Sequence, residues 1–283
     1  MFSGVIAANL LSVLGLSGLL FFLSQFFQLV QGYHPVKAGL AELPAAVTAT
    51  VFGVLAGVAV RCWPQRAVLT TGLALVGVAM ASLTLINPST AYPRLGIALF
   101  VVGVGLGLAF TVASDVILAS VEPERAGAAA AVSETAYELG MALGIATLGS
   151  IVIGVYRGLA IPPDTPDAVS LPARDSLAAA LEAAGPLSDD NGLSLVMAAK
   201  SAFTDGLAIA AGVGSALLLA SAVAVWLLLK PRPTPPGAAV VGVPDDLGTH
   251  RAEGVNRCVD AAGANRIARS NLLIGHRLRA AVM

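Results

Sequence analysis

The sequence predicts an all-α membrane protein: six transmembrane helices, with a helical hairpin outside the membrane between the fifth and the sixth. Two observations carry this. Of 283 residues, 57% are hydrophobic and 12% charged, and the mean hydropathy is +0.83, whereas soluble domains run near 25% charged. Six apolar stretches, at roughly 5–30, 39–60, 67–87, 95–119, 127–155 and 203–229, are long enough to cross a bilayer as helices, and their interiors contain no Lys or Arg. This composition excludes a cytosolic enzyme and a bacterial outer-membrane barrel, whose strands alternate polar and apolar residues. A net charge of −1 gives no electrostatic basis for binding nucleic acid. Cys62 and Cys258 lie far apart without metal-ligand spacing, so no metal or other cofactor is expected.

The connections mark where each span ends. Lys37, Arg61, Arg66, Arg94, Arg125, Arg157, Lys200 and Lys230 all fall between or beside the apolar stretches. Tyr33, Tyr92 and Tyr156 fall at one end of the zigzag and Trp63 and Trp226 at the other, as amphipathic rings at headgroup level do. Short-loop Lys and Arg favour both termini in the cytoplasm of an inner (plasma) membrane. Met1-Phe2-Ser3 lacks the positive start of a signal peptide.

Residues 1–230 form the predicted bundle, and 157–202 its largest extramembrane piece. Ile161-Pro162-Pro163-Asp164-Thr165-Pro166 reads as non-helical. Asp175 to Glu182 reads as a short helix stopped by Gly185-Pro186. A second short helix around 193–202, capped by Asp189 or Asp190, leads into the last span. From Pro231 the chain is Pro- and Arg-rich with no apolar periodicity, so 231–283 is read as an unstructured cytoplasmic tail.

Ionisable groups inside a bilayer cost several kcal/mol and mark functional positions. Asp115 sits near the inner end of the fourth span. Glu134 and Glu138, spaced i, i+4 on one face of the fifth, lie about 10 and 17 Å from its start at 1.5 Å per residue. Low dielectric and mutual repulsion penalise the charged forms, so such a pair suits exchange of a proton against an organic cation. Tyr137, between them, can add a cation–π contact. Ser24, Gln25 and Gln28 interrupt the first span and either line a cavity or bond across helices. Glu42 and Asp205 fall at span ends and are read as solvated. Gly53 and Gly57, Gly103 and Gly107, and Gly140 and Gly144 have small-xxx-small spacing. Gly103-Val104-Gly105-Leu106-Gly107 is a packing or hinge segment, since a nucleotide fingerprint needs a strand before it. Gly15-Leu16-Ser17-Gly18 has the form of an intramembrane protease motif. None of His34, His250 and His276 lies in a span to activate the serine, so Ser17 is read as a packing residue.

Three segments resemble the major facilitator superfamily, in its branch of fourteen-helix drug:proton antiporters. They are Phe22-Leu23-Ser24-Gln25-Phe26-Phe27-Gln28 continuing to Leu40, Pro123-Glu124-Arg125-Ala126-Gly127, and Ala130-Ala131-Val132-Ser133-Glu134-Thr135-Ala136-Tyr137-Glu138-Leu139-Gly140. The last is similar to exporters of the QacA and SmvA type, which handle quaternary ammonium compounds and cationic dyes. The resemblance covers roughly 2–230. It implies the C-terminal half of a transporter, helices nine to fourteen, with both ends in the cytoplasm and protons and small organic cations as ligands. Its partners would be the lipid bilayer and a missing or separate N-terminal half. Arg61-Cys62-Trp63-Pro64-Gln65-Arg66 departs from the superfamily's usual loop motif in lacking its Asp and Gly. The alternative reading is a truncated membrane fragment without transport activity of its own.

Overall fold

The computed structural model describes residues 2–119, 121–161, 165–185 and 189–228. The tail read as unstructured lies outside them. Among the described residues there are eight α-helices and no strand: α1 (Phe2–Gln25), α2 (Pro35–Cys62), α3 (Gln65–Ser82), α4 (Tyr92–Leu118), α5 (Ala126–Tyr156), α6 (Asp167–Asp175), α7 (Leu177–Ala184) and α8 (Asp189–Leu228). Six of them, α1 to α5 and α8, are long and apolar enough to span a membrane.

The first span does not stay α-helical to its end. Phe26–Val30 form a π turn, closed by the Gln31 amide donating to the Phe26 carbonyl at 3.1 Å. The extra residue in the turn lets Phe26, Phe27 and Val30 all point into the core. The chain then reverses at Gly32, whose φ of +69° suits a residue without a Cβ. The Tyr33 amide returns to the Phe27 carbonyl at 2.9 Å, and the two rings stack with centroids 5.8 Å apart. α2 starts at Pro35, four residues before the apolar stretch, because proline lacks only an amide hydrogen that a first-turn residue does not need.

The six spans form two tight pairs joined by a spine. α1 packs on α5 and α2 packs on α4, while α3 and α8 lie between the pairs, α3 against α4 and α8, and α8 against α1 and α5. Close backbone approach sets the pairs. A Cβ on Gly103 would collide with Thr48 and the Ala45 carbonyl, and one on Gly107 with the Ala49 carbonyl and the Gly53 amide, so both face α2. Gly105 lies about 200° away from each and faces α3, where its Cβ would meet the Gly72 carbonyl and Val76. Gly140 lies against Leu10 and Val13 of α1, and Gly144 against Leu14 and Ser17. The Thr48 hydroxyl reinforces the first pair, lying 2.6 Å from the Pro44 carbonyl oxygen and 3.2 Å from that of Phe100 on α4. Gly57 fits the same spacing as these contacts but faces open space.

Outside the spans, Ser176 caps α7 by accepting from the Ala179 amide at 3.1 Å, and Gly185 ends it. α6 is an addition to the sequence reading. It starts after Pro166 and accommodates Pro172 in its interior. The short helix expected around 193–202 is not separate: it is continuous with the last span in the 40-residue α8. Tyr156, at the end of α5, donates its hydroxyl to the buried Ala173 carbonyl at 2.8 Å and so fastens α6 to the bundle. At the opposite end of the molecule the Arg66 guanidinium lies 4.5 Å from the Trp226 ring.

Replacing Gly107 by Val should destabilise the α2–α4 pair by about 1–3 kcal/mol, the cost of overpacking. Gly57→Ala, with open space around its Cβ, should leave stability unchanged or raise it slightly. Thermal melts followed by circular dichroism in detergent micelles compare the two.

Candidate functional site

Between the α1–α5 pair and the α2–α4 pair the helices barely touch, and a cavity of about 510 Å³ occupies the gap. Its walls are apolar and aromatic with few polar groups, as in sites that admit organic ligands. Ser17, Leu20 and Phe21 come from α1, Ala49 from α2, Leu106, Phe110 and Thr111 from α4, and Tyr137, Met141 and Ile145 from α5. Phe110 and Tyr137 meet edge to face, centroids 5.5 Å apart, and close the seam between α4 and α5. The Ser17 hydroxyl donates to the Met141 carbonyl at 3.2 Å. Ser17 is therefore part of the α1–α5 contact, and nothing in its surroundings activates it.

The acidic residues singled out from the sequence extend these walls toward one end. Glu134 and Glu138 precede Met141 and Ile145 at spacings of four, three and four, one stripe along α5. Asp115 follows Gly107 and Thr111 along α4 at intervals of four. Because α4 runs into α5 through a short turn at 123–125, all three acids lie toward the Trp63 and Trp226 end. All three are exposed in this bundle, and none makes a side-chain hydrogen bond or ion pair among the described residues. The ion pair seen among the described residues is the exposed Arg125–Glu122, 3.7 Å apart.

The polar residues of the first span separate. Gln25 lines a second cavity, of about 240 Å³, with Asp175 and Ser176 from the α6–α7 junction and Tyr156 and Phe203 among its other walls. Phe21, 47% exposed, borders both cavities. Ser24 and Gln28 are half-buried, and the Gln28 amide donates to the Ser24 hydroxyl at 3.4 Å. Of Ser24, Gln25, Gln28 and Tyr137, Tyr137 alone lines the larger cavity.

Glu42 corrects the sequence reading. With α2 starting at Pro35, it lies two turns inside the helix, and its Oε1 is buried without a hydrogen-bond partner. The missed signal is its spacing of seven from Ala49, which puts it on the cavity-lining stripe of α2. Asp205 is exposed, as expected, but within continuous helix. Phe110, Thr111 and Phe21 were also missed, since nothing local distinguishes a cavity aromatic from a lipid-facing one.

Comparison with known proteins agrees with this architecture. The family model described as Major Facilitator Superfamily matches residues 1–145. The chain is 36% identical over 231 residues to the multidrug efflux pump LfrA of Mycolicibacterium smegmatis, covering 81% of this chain and 46% of that protein. It is 30% identical over 228 residues to the methyl viologen resistance protein SmvA of Salmonella typhimurium, covering 80% and 46%. To the drug efflux pump JefA of Mycobacterium tuberculosis it is 30% identical over 231 residues, covering 76% and 44%. The chain thus spans less than half the length of each of these relatives. A six-span helical bundle, a family-model match over half the chain and relatives covering 76–81% of it lead to one conclusion: this chain is a multi-pass membrane protein belonging to the Major Facilitator Superfamily, a family of transporters rather than enzymes.

Proposed function

We propose that this chain serves as the C-terminal half of a multidrug exporter that exchanges protons for organic cations such as quaternary ammonium compounds and cationic dyes. The observation that carries the proposal is the continuation of an aromatic-walled cavity into stripes bearing Asp115, Glu134 and Glu138. Aromatic faces and carboxylates together favour a lipophilic cation over a neutral or anionic solute. Relatives named as multidrug pumps, and one named for resistance to methyl viologen, an organic cation, support the same substrate class.

The roles divide by depth along α5. Glu138 lies one turn nearer the cavity than Glu134 and takes the exchanged proton. Glu134, nearer the helix start, receives the cation, and the Tyr137 ring adds a cation–π contact. Each carboxylate is exposed in this bundle, leaving room for a second bundle to close the path. In the proposed orientation both termini face the cytoplasm and α6 and α7 lie outside.

A fusion carrying the LfrA segment that precedes the matched region, followed by this chain, tests the coupling. Glu138→Gln should abolish proton-driven efflux of a cationic dye, and Glu134→Gln should weaken binding of cations more than of neutral compounds. A Glu138→Gln fusion that exports dye at the normal rate and with normal pH dependence would falsify the proton assignment. No efflux from the unsubstituted fusion would favour the inactive-fragment alternative. Orientation is checked separately with trypsin on intact cells: cleavage is expected after Arg174, with Arg125 cut only once the membrane is opened.

A further inference from the structure

Three half-buried polar side chains converge where α1 meets α2 at the Tyr33 and Tyr92 end. The Gln28 amide donates to the Ser24 hydroxyl at 3.4 Å, and the Ser24 hydroxyl is hydrogen-bonded to the Glu42 carboxyl group. The Glu42 Oε1 is buried and has no hydrogen-bond partner among the described residues. A carboxylate offers about four acceptor positions, and leaving a buried one empty is costly, more so when the group is charged.

Among the described residues no cation fills the gap. On α2 itself Lys37 lies over the Tyr33 ring, 3.9 Å from its centroid, and His34 precedes the helix. On α4 the Tyr92 hydroxyl donates to the Ala41 carbonyl at 3.2 Å, and Arg94 is exposed. The π turn and the end of α1 contribute only uncharged residues, and none of these groups forms an ion pair with Glu42 among the described residues.

The position connects this carboxyl group to the cavity. Glu42 is seven residues from Ala49, which lines it, and Ser24 and Gln28 continue the α1 stripe of Ser17 and Phe21 at spacings of four, three and four. By this spacing acidic groups lie on the lining helices beyond both ends of the cavity: Asp115, Glu134 and Glu138 beyond one, Glu42 beyond the other.

We propose that Glu42, with Ser24 and Gln28, forms a second exchange site at the far end of the cavity, holding a proton when the cavity is empty and releasing it when a lipophilic organic cation arrives. The Glu42 O–H gives its proton to water at the Tyr33 end, and the carboxylate so formed pairs with the cation, keeping the Ser24 hydrogen bond. The inference rests on the cation-exchange reading above and adds a site at the end opposite to Glu138.

Dicyclohexylcarbodiimide, which modifies protonated carboxyl groups in apolar surroundings, tests it on the full chain in lipid nanodiscs, without any transport. Glu42 is the one acidic residue in the tryptic peptide 38–61, so an adduct there is assigned by mass alone. The expected result is an adduct on that peptide at neutral pH. Tetraphenylphosphonium at ten times its dissociation constant should lower the labelling about tenfold. Glu42→Gln should remove the adduct. Absence of an adduct on 38–61 while other carboxyl groups react would overturn the proposal. So would an adduct that the cation does not protect, since Glu42 would then be a structural acid isolated from the cavity. Either outcome leaves the Glu138 assignment standing, because that is read from dye efflux.

Discussion

Everything in this bundle depends on how closely helix backbones approach one another. Between apolar helices in lipid no hydrophobic driving force remains, so association rests on van der Waals contact and interhelical hydrogen bonds. α4 is where this constraint is most severe. Gly103 and Gly107 admit the α2 backbone on one side and Gly105 admits α3 on the other, so one helix holds two neighbours with almost no side-chain volume between them. The α1–α5 pair uses the same device at Gly18, Gly140 and Gly144. Because the two pairs are each drawn so tight, the space between them stays unfilled, and the cavity is a by-product of the pairing.

That cavity is walled by apolar and aromatic side chains, and Asp115, Glu134 and Glu138 lie on the same helix stripes beyond one end of it. The arrangement is economical in electrostatic terms. A carboxylate at the cavity centre would carry the full desolvation cost, while one set a turn or two toward either end stays within reach of water. α2 is well suited to border such a space, since only 11% of its membrane window is buried, against 50% for α4.

The spans were legible in the sequence because apolar length is a direct reading of what a bilayer demands, and each agrees with its helix to within a few residues apart from the early start of α8. The sequence did not reveal which neighbour each helix would meet. Gly57 has the same spacing as Gly103 and Gly107 yet touches nothing, because spacing describes one helix and contact requires two. Glu42 was misplaced by counting depth from the apolar stretch, when Pro35 had already begun the helix. α6 was hidden by its own Pro172, and the continuity of α8 by Asp189-Asp190-Asn191-Gly192, a polar start that looks like a cap between two elements. Leu195 and Ala199, both fully buried, hold that stretch in the helix by packing. For Glu134 and Glu138 the one-face spacing was legible, whereas their exposure follows from which helices this chain brings to α5.

α8 is 40 residues long, about 60 Å at 1.5 Å per residue, or twice the hydrocarbon thickness of a bilayer. It contains no proline and no π turn, and it stays α-helical through Gly214-Ser215. One end packs against α7 and the other carries Trp226 beneath the Arg66 guanidinium. A single unbroken helix thus ties the extramembrane contact with α7 to the Arg66–Trp226 contact at the opposite face.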